Sequence, residues 1–126
     1  MKYLLDTNAL LYIFSAPSEL SARARRIIRG ESNLSVSIVS FWEIAIKQSI
    51  GKLQIGMTIP QLEFMCGERD IQVLGLRSAA IEQIKGLPKI HGDPFDRLLV
   101  AQAQTESMVI ITSDKIIPQY PVRTIW

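Results

Sequence analysis

The stretch His91-Gly-Asp93-Pro-Phe-Asp96-Arg97-Leu-Leu-Val-Ala-Gln-Ala103 starts a helix and turns an acid toward the interior. Pro94 suits a first helical turn, where its missing N–H is not needed. Asp93 stands where an N-cap would and Asp96 follows three residues later, so both side chains could simply close the helix N-terminus. For Asp93 we adopt that role. Asp96 differs, because helical steps place it on one face with Leu99, Val100 and Ala103, the face that the pattern assigns to the core. A carboxylate in the first turn of a buried stripe is costly unless hydrogen bonds, a cation or a metal holds it, which makes Asp96 a site candidate. Three more acids occur in similar places.

Downstream, Met108-Val-Ile-Ile-Thr112 is a continuous apolar run ending in Ser113-Asp114, a buried strand by its length and β-branching. Val122 to Ile125 offers a last short strand. Upstream, Gly86 to Gly92 is a loop, Ala79 to Ile84 a short helix and Gln72 to Leu74 a third strand. A further helix begins after Thr58 with Pro60 in its first turn, and the two-glycine segment Gly51 to Thr58 connects it to what precedes. At the start of the chain, Tyr3-Leu4-Leu5 reads as a buried strand ending in Asp6-Thr7-Asn8, with a helix over Ala9 to Phe14. Pro17 ends that helix. Ser18 or Ser21 caps the next, which stops at Gly30. Leu34 to Ile38 is a second strand, and Ser40 opens a helix ending at Gly51, with Ser40 and Glu43 at capping-box spacing.

Strands alternating with helices imply a parallel sheet covered on both faces by right-handed crossovers. The expectation is therefore an α/β fold, three layers α/β/α, with a central, mostly parallel sheet of roughly four to five strands. In such sheets the C-terminal ends of the strands share one edge, and ligands bind there. Asp6 and Asp114 each end a strand, while Glu43 and Asp96 each start a helix after a strand or its loop. All four belong to that edge.

The bulk composition narrows the classes. At 126 residues the chain is expected to be one domain spanning 1–126. Its apolar content of 48% supplies a core, yet the apolar runs are short and broken by charges, so none crosses a bilayer. Leu4-Leu5 and Leu10 to Phe14 faintly suggest a signal peptide, but Asp6 and Asn8 interrupt that segment and Lys2 is its only basic lead-in. The single Cys66 fits a reducing cytoplasm, and the lone His91 argues against zinc; neither is expected to carry chemistry. There are 14 basic and 12 acidic side chains. With four of those acids in one pocket, basic groups predominate elsewhere, which suits a polyanionic partner. Arg23, Arg25, Arg26 and Arg29 form the densest basic group, although their spacing spreads them around a helix as a solvated surface would.

Four carboxylates at one sheet edge would repel each other unless a cation neutralised them. The neighbouring polar residues Thr7, Asn8, Ser40, Thr112 and Ser113 offer only oxygen or amide groups, and hard oxygen ligands suit Mg²⁺ or Mn²⁺. Taken singly, Asp6 and Asp114 also suit turns or caps, and Glu43 suits a capping box with Lys47 as an ion-pair partner four residues on. Against that, Ser40, Glu43 and Lys47 make a thin polar stripe on a helix otherwise rich in Phe41, Trp42, Ile44, Ala45, Ile46 and Ile50. Few exposed faces look so.

Four motifs, Leu-Leu-Asp6-Thr-Asn8, Ser40-Phe-Trp-Glu43-Ile-Ala with Lys47 and Gly51-Lys-Leu, Asp93-Pro-Phe-Asp96-Arg-Leu-Leu-Val-Ala-Gln-Ala, and Ile-Thr-Ser-Asp114, resemble the PIN-domain family in register across nearly the whole chain. More narrowly, the chain resembles VapC-type toxins of toxin–antitoxin pairs. The resemblance implies a metal-dependent endoribonuclease with Mg²⁺ or Mn²⁺ as cofactor, an RNA substrate, a cognate antitoxin and a homodimer. Carried over by motif, the acidic set is Asp6, Glu43, Asp96 and Asp114, with Asp6, Asp96 and Asp114 as metal ligands. Glu43 and Asp93 are further candidates for that shell. Lys47 and Arg97 are candidate phosphate contacts or plain surface charges. After Asp114 the family often has an aromatic where this chain has Lys115-Ile-Ile117, which bears on substrate or partner fit. Two alternatives stand beside this. An aspartyl phosphoryl-transfer site built on Asp6 wants a second acid at the position of Asn8; a catalytically silent binding or scaffold protein, PIN-like or receiver-like, needs no turnover.

Overall fold

In a computed structural model of the chain, which describes residues 1–30 and 33–126, five strands form one sheet in the order β3-β2-β1-β4-β5. They are β1 (Tyr3–Leu5), β2 (Leu34–Ser37), β3 (Ile71–Leu74), β4 (Val109–Ile111) and β5 (Thr124–Ile125). Every pairing is parallel, so the expected "mostly parallel" sheet is wholly so. Six helices connect the strands: α1 (Thr7–Ser15), α2 (Ala22–Gly30), α3 (Ile38–Ser49), α4 (Ile59–Glu68), α5 (Ser78–Ile84) and α6 (Pro94–Glu106).

The alternation of side chains along each strand divides the core into two. Tyr3 and Leu5 of β1 join Val36, Ile71, Val109 and Ile111 in a cluster with Leu10 and Ile13 of α1, Ala24 of α2, Phe41 and Ile44 of α3, and Leu62 and Cys66 of α4. Leu4, between them in sequence, points to the opposite face with Ile110 and packs on Leu99, Val100 and Ala103 of α6. Short strands that read as unbroken apolar runs are thus buried on both sides.

Helix entries follow local chemistry. Ser21 Oγ accepts the Ala24 N–H, and Thr58 with Gln61 forms a reciprocal capping box below Pro60. One expectation is corrected here. The cap of α3 is Ser37, whose Oγ accepts the Val39 N–H at 3.0 Å, so the helix begins at Ile38 and Ser40 lies inside its first turn. Ser37 wins because it ends β2 in an extended conformation and its hydroxyl also donates to buried Gln102 of α6 at 2.5 Å, tying the strand end to the opposite layer.

Strand order fixes where a site can form. From β1 the chain runs outward to β2 and β3, then returns to lay β4 on the other side of β1 and continues to β5. The direction reverses between β1 and β4, and at such a switch point the loops diverge and leave a crevice at the C-terminal strand ends. Asp6 follows β1 and Asp114 lies three residues beyond β4.

Candidate active site

Asp6 is the N-cap of α1. Its Oδ1 accepts the Ala9 N–H at 2.7 Å, and its Oδ2 accepts the Thr112 hydroxyl at 2.5 Å. Thr112 in turn accepts the Asp114 N–H at 3.0 Å, so one buried hydroxyl links the two acids across the switch point. The cap role suggested for Asp6 is real, and the same carboxyl also holds Thr112. Asp6 is 5% exposed, and burial, with smaller contributions from the charges of Asp96 and Asp114, pushes its carboxyl up to about 6 against the pull of both hydrogen bonds.

Glu43 lies in the second turn of α3, on the face turned inward. Thr7 Oγ1 is 2.7 Å from Glu43 Oε1 and 2.9 Å from Ser40 Oγ, and all three residues are buried. The polar stripe on α3 therefore faces α1, and Lys47 closes it with an ion pair to Glu43 Oε2 at 3.0 Å. The outer face carries Ile38, Trp42, Ile46 and Ile50, four apolar side chains one turn apart and exposed, with Trp42 set edge-on to Phe95 at 5.2 Å.

Asp93 takes the cap role assigned to it: its Oδ1 accepts the N–H groups of Phe95 and Asp96. Asp96 is freed for the pocket. Burial raises its carboxyl pKa, and the charges of Asp93, Asp114 and Glu43 push the same way while a hydrogen bond with His91 opposes them. Asp114 accepts the Ile116 and Ile117 N–H groups on Oδ1, the turn role weighed for it, and adds its charge to Asp6 and Asp96. The four acids thus share one electrostatic basin. Only Glu43 has a lysine or arginine at ion-pair distance; among the described residues Asp6, Asp96 and Asp114 have none.

The remaining candidates fall in different places. Asn8 and Ser113 are exposed at the rim, where neither side chain makes a hydrogen bond among the described residues. Arg97, weighed as a phosphate contact, instead donates to the carbonyl of Pro88 at 2.8 Å and to the hydroxyl of Tyr120 at 3.1 Å, bracing the loop before α6. His91, set aside from sequence because it is alone, touches the site: its Nε2 is 3.3 Å from Asp96 Oδ2 and its Nδ1 is 2.6 Å from Tyr120 Oη. Its position five residues before Asp96, across a turn that Asp93 and Pro94 define, was the available signal.

The donor set consists of oxygens. Among the described residues no three His, Cys, Asp or Glu side chains are placed close enough together to hold a metal ion. Oxygen donors are the ligand type that suits Mg²⁺ or Mn²⁺ rather than a metal that prefers sulfur or nitrogen. An open concavity at the other end of the strands, between Lys2, Arg29, Arg69, Asp70 and Glu106, mixes both charges.

A wholly parallel sheet with acids at its switch point defines the class by fold and site, and the chain belongs to the PIN domain family, whose model matches residues 3–122. The likeness extends to a particular relative. Ribonuclease VapC22 of Mycobacterium tuberculosis is 25% identical over 113 residues, covering 89% of this chain and 86% of that protein. Among solved structures, VapBC2 from Rickettsia felis, bound to a DNA fragment from its promoter, superposes with a TM-score of 0.73 at 14% identity, covering 99% of this chain and 98% of the other. VapBC-1 from nontypeable Haemophilus influenzae gives 0.66 at 21% identity, covering 99% and 97%. DNA-bound VapBC from Salmonella typhimurium gives 0.67 at 18%, with the same coverage. At these identities the superpositions establish the fold.

Proposed function

We propose that the protein is a divalent-metal-dependent endoribonuclease that acts as the toxin of a toxin–antitoxin pair. The observation that carries this is the uncompensated charge of Asp6, Asp96 and Asp114 at the switch point of a PIN fold, where burial and mutual repulsion make two of the carboxyls reluctant to ionise. A cation reverses that balance. The ribonuclease name of the VapC22 relative supports the reaction class.

Asp6, Asp96 and Asp114 would hold Mg²⁺ or Mn²⁺, Asp96 and Asp114 through an oxygen free of hydrogen bonds and Asp6 through a lone pair left beside its bonds to Ala9 and Thr112, with Asp93 kept as the cap that aims Asp96. When bound, the ion supplies Lewis-acid chemistry: it acidifies a water and offsets charge growing on phosphate oxygens. Glu43 faces the same pocket with one oxygen on Thr7 and the other on Lys47, and it orients the attacking water and takes its proton. Lys47, partly exposed at the rim, then has a phosphate within the reach of its flexible stem. Helix N-termini of α1, α3 and α6 lie at the same edge and add favourable partial charge for phosphate oxygens.

A toxin requires restraint, and the VapBC assemblies named above support a small cognate antitoxin as partner. Its apolar segment would cover the outer stripe of α3, and its basic groups would enter the acidic pocket; the protein would itself pair as a homodimer. No helix among the described residues is long and apolar enough to cross a membrane.

The test is cleavage of a mixed RNA panel by the purified protein with Mg²⁺ or Mn²⁺ and with EDTA, beside Asp96→Asn. Cutting that requires the metal and disappears in the variant is the expected result. Metal-dependent cutting that survives in Asp96→Asn refutes the assignment of the acids, and a folded protein that binds metal yet cuts none of the panel favours the silent scaffold.

A further inference from the structure

The network behind Asp96 has a direction that hydrogen-bond accounting fixes. Tyr120 is buried, and its hydroxyl oxygen receives two N–H groups that can only donate: Arg97 Nη1 at 3.1 Å and the His91 backbone N at 3.3 Å. Its own proton must therefore go to an acceptor. Two are near, the His91 carbonyl at 3.4 Å and His91 Nδ1 at 2.6 Å, and distance selects the ring nitrogen. A ring nitrogen that accepts carries no proton, so in the neutral imidazole the proton sits on Nε2, and that N–H faces Asp96 Oδ2 at 3.3 Å. The chain of donation runs Arg97 to Tyr120 to His91 to Asp96. Its far end is firm, since Arg97 also holds the Pro88 carbonyl and lies over the Tyr120 ring at 5.8 Å.

We propose that His91 is a positioning residue: fixed by Tyr120 as the Nε2–H tautomer, it occupies one oxygen of Asp96 and leaves Oδ1 presented to the cation. Oδ1 makes no hydrogen bond among the described residues, whereas the backbone N–H of Asp96 is already taken by Asp93. Asp96 would otherwise rotate about its side-chain bonds within a basin of like charge. Partners that orient a ligating carboxylate contribute to metal affinity without touching the metal. This role rests on the metal-binding reading of Asp96, so the tests separate the two.

His91 is the only histidine, which makes its ring nitrogens the only imidazole signals in a ¹⁵N spectrum. The expected pattern for the neutral ring is the pure Nε2–H tautomer, with Tyr120→Phe giving a mixture. A pure Nδ1–H pattern overturns the proposal. Mn²⁺ binding followed by electron paramagnetic resonance gives the second readout. His91→Ala is expected to weaken it about tenfold or more, and His91→Gln to restore much of the loss by donating to the same oxygen. Wild-type Mn²⁺ affinity in a folded His91→Ala protein, together with its loss in Asp96→Asn, overturns the positioning role alone. Wild-type affinity in Asp96→Asn overturns the metal reading and the role of His91 with it.

Discussion

Replacing Asp6 by Asn should stabilise the metal-free protein while abolishing the proposed metal-dependent cleavage. In the folded chain burial raises the Asp6 carboxyl from 3.8 to about 6, so the folded state binds this proton more tightly than the unfolded one. The sign follows from linkage: ionised Asp6 opposes folding, the opposition is small below pH 4, grows as pH rises toward 6, and is constant above it. About two pKa units correspond to about 3 kcal/mol at pH 8. Asn keeps the shape and still accepts the Ala9 N–H, but it no longer accepts the Thr112 hydroxyl, a loss of about 1–2 kcal/mol. The net gain is about 1–2 kcal/mol, or about 4–8 °C in Tm for a chain of this size. Thermal unfolding in EDTA at pH 8 and at pH 4 checks it. The variant should be the more stable at pH 8 and lose that advantage at pH 4. Saturating Mn²⁺ should then raise the wild type and leave the variant behind. A variant destabilised at pH 8 in EDTA, or equally stabilised at both pH values, refutes the electrostatic account of the pocket.

Two further substitutions test the frame that holds the site. Ser37→Ala removes the cap of α3 and leaves the buried Gln102 carbonyl without its donor, so a loss of about 2–3 kcal/mol is expected in urea unfolding. Leu4→Ala opens a void between the central strand and α6 and should cost about 3–4 kcal/mol; a loss below about 1 kcal/mol would mean that Leu4 is not wedged between those layers.

The fold was legible because its strands are short apolar runs, each followed by a helix-starting polar residue, a pattern that admits few topologies. The acidic set was legible for a related reason: Asp6, Glu43, Asp96 and Asp114 each follow such a run or begin its helix, and that places them on one edge. The cap of α3 was harder, since the spacing to Glu43 pointed to Ser40, whereas the bonds to the Val39 N–H and to Gln102, 65 residues away, select Ser37. The surroundings of Arg97 and His91 were hidden for the same physical reason. What each does depends on Tyr120, 23 and 29 positions on, and a hydroxyl held between a guanidinium and an imidazole leaves no periodic trace. The inward turn of the Ser40–Glu43 stripe, by contrast, was foreshadowed by the apolar residues around it.

The bond between Asp6 and Thr112 spans 106 positions of sequence, and β1 pairs with β4 over a similar separation. During synthesis the first acid of the pocket therefore emerges long before the strand that completes it, and a loop of that length must close before either contact forms. A ribosome-bound chain that has not yet released β4 has no assembled pocket, so whatever chemistry the acids perform begins only when the central strand gains its second neighbour.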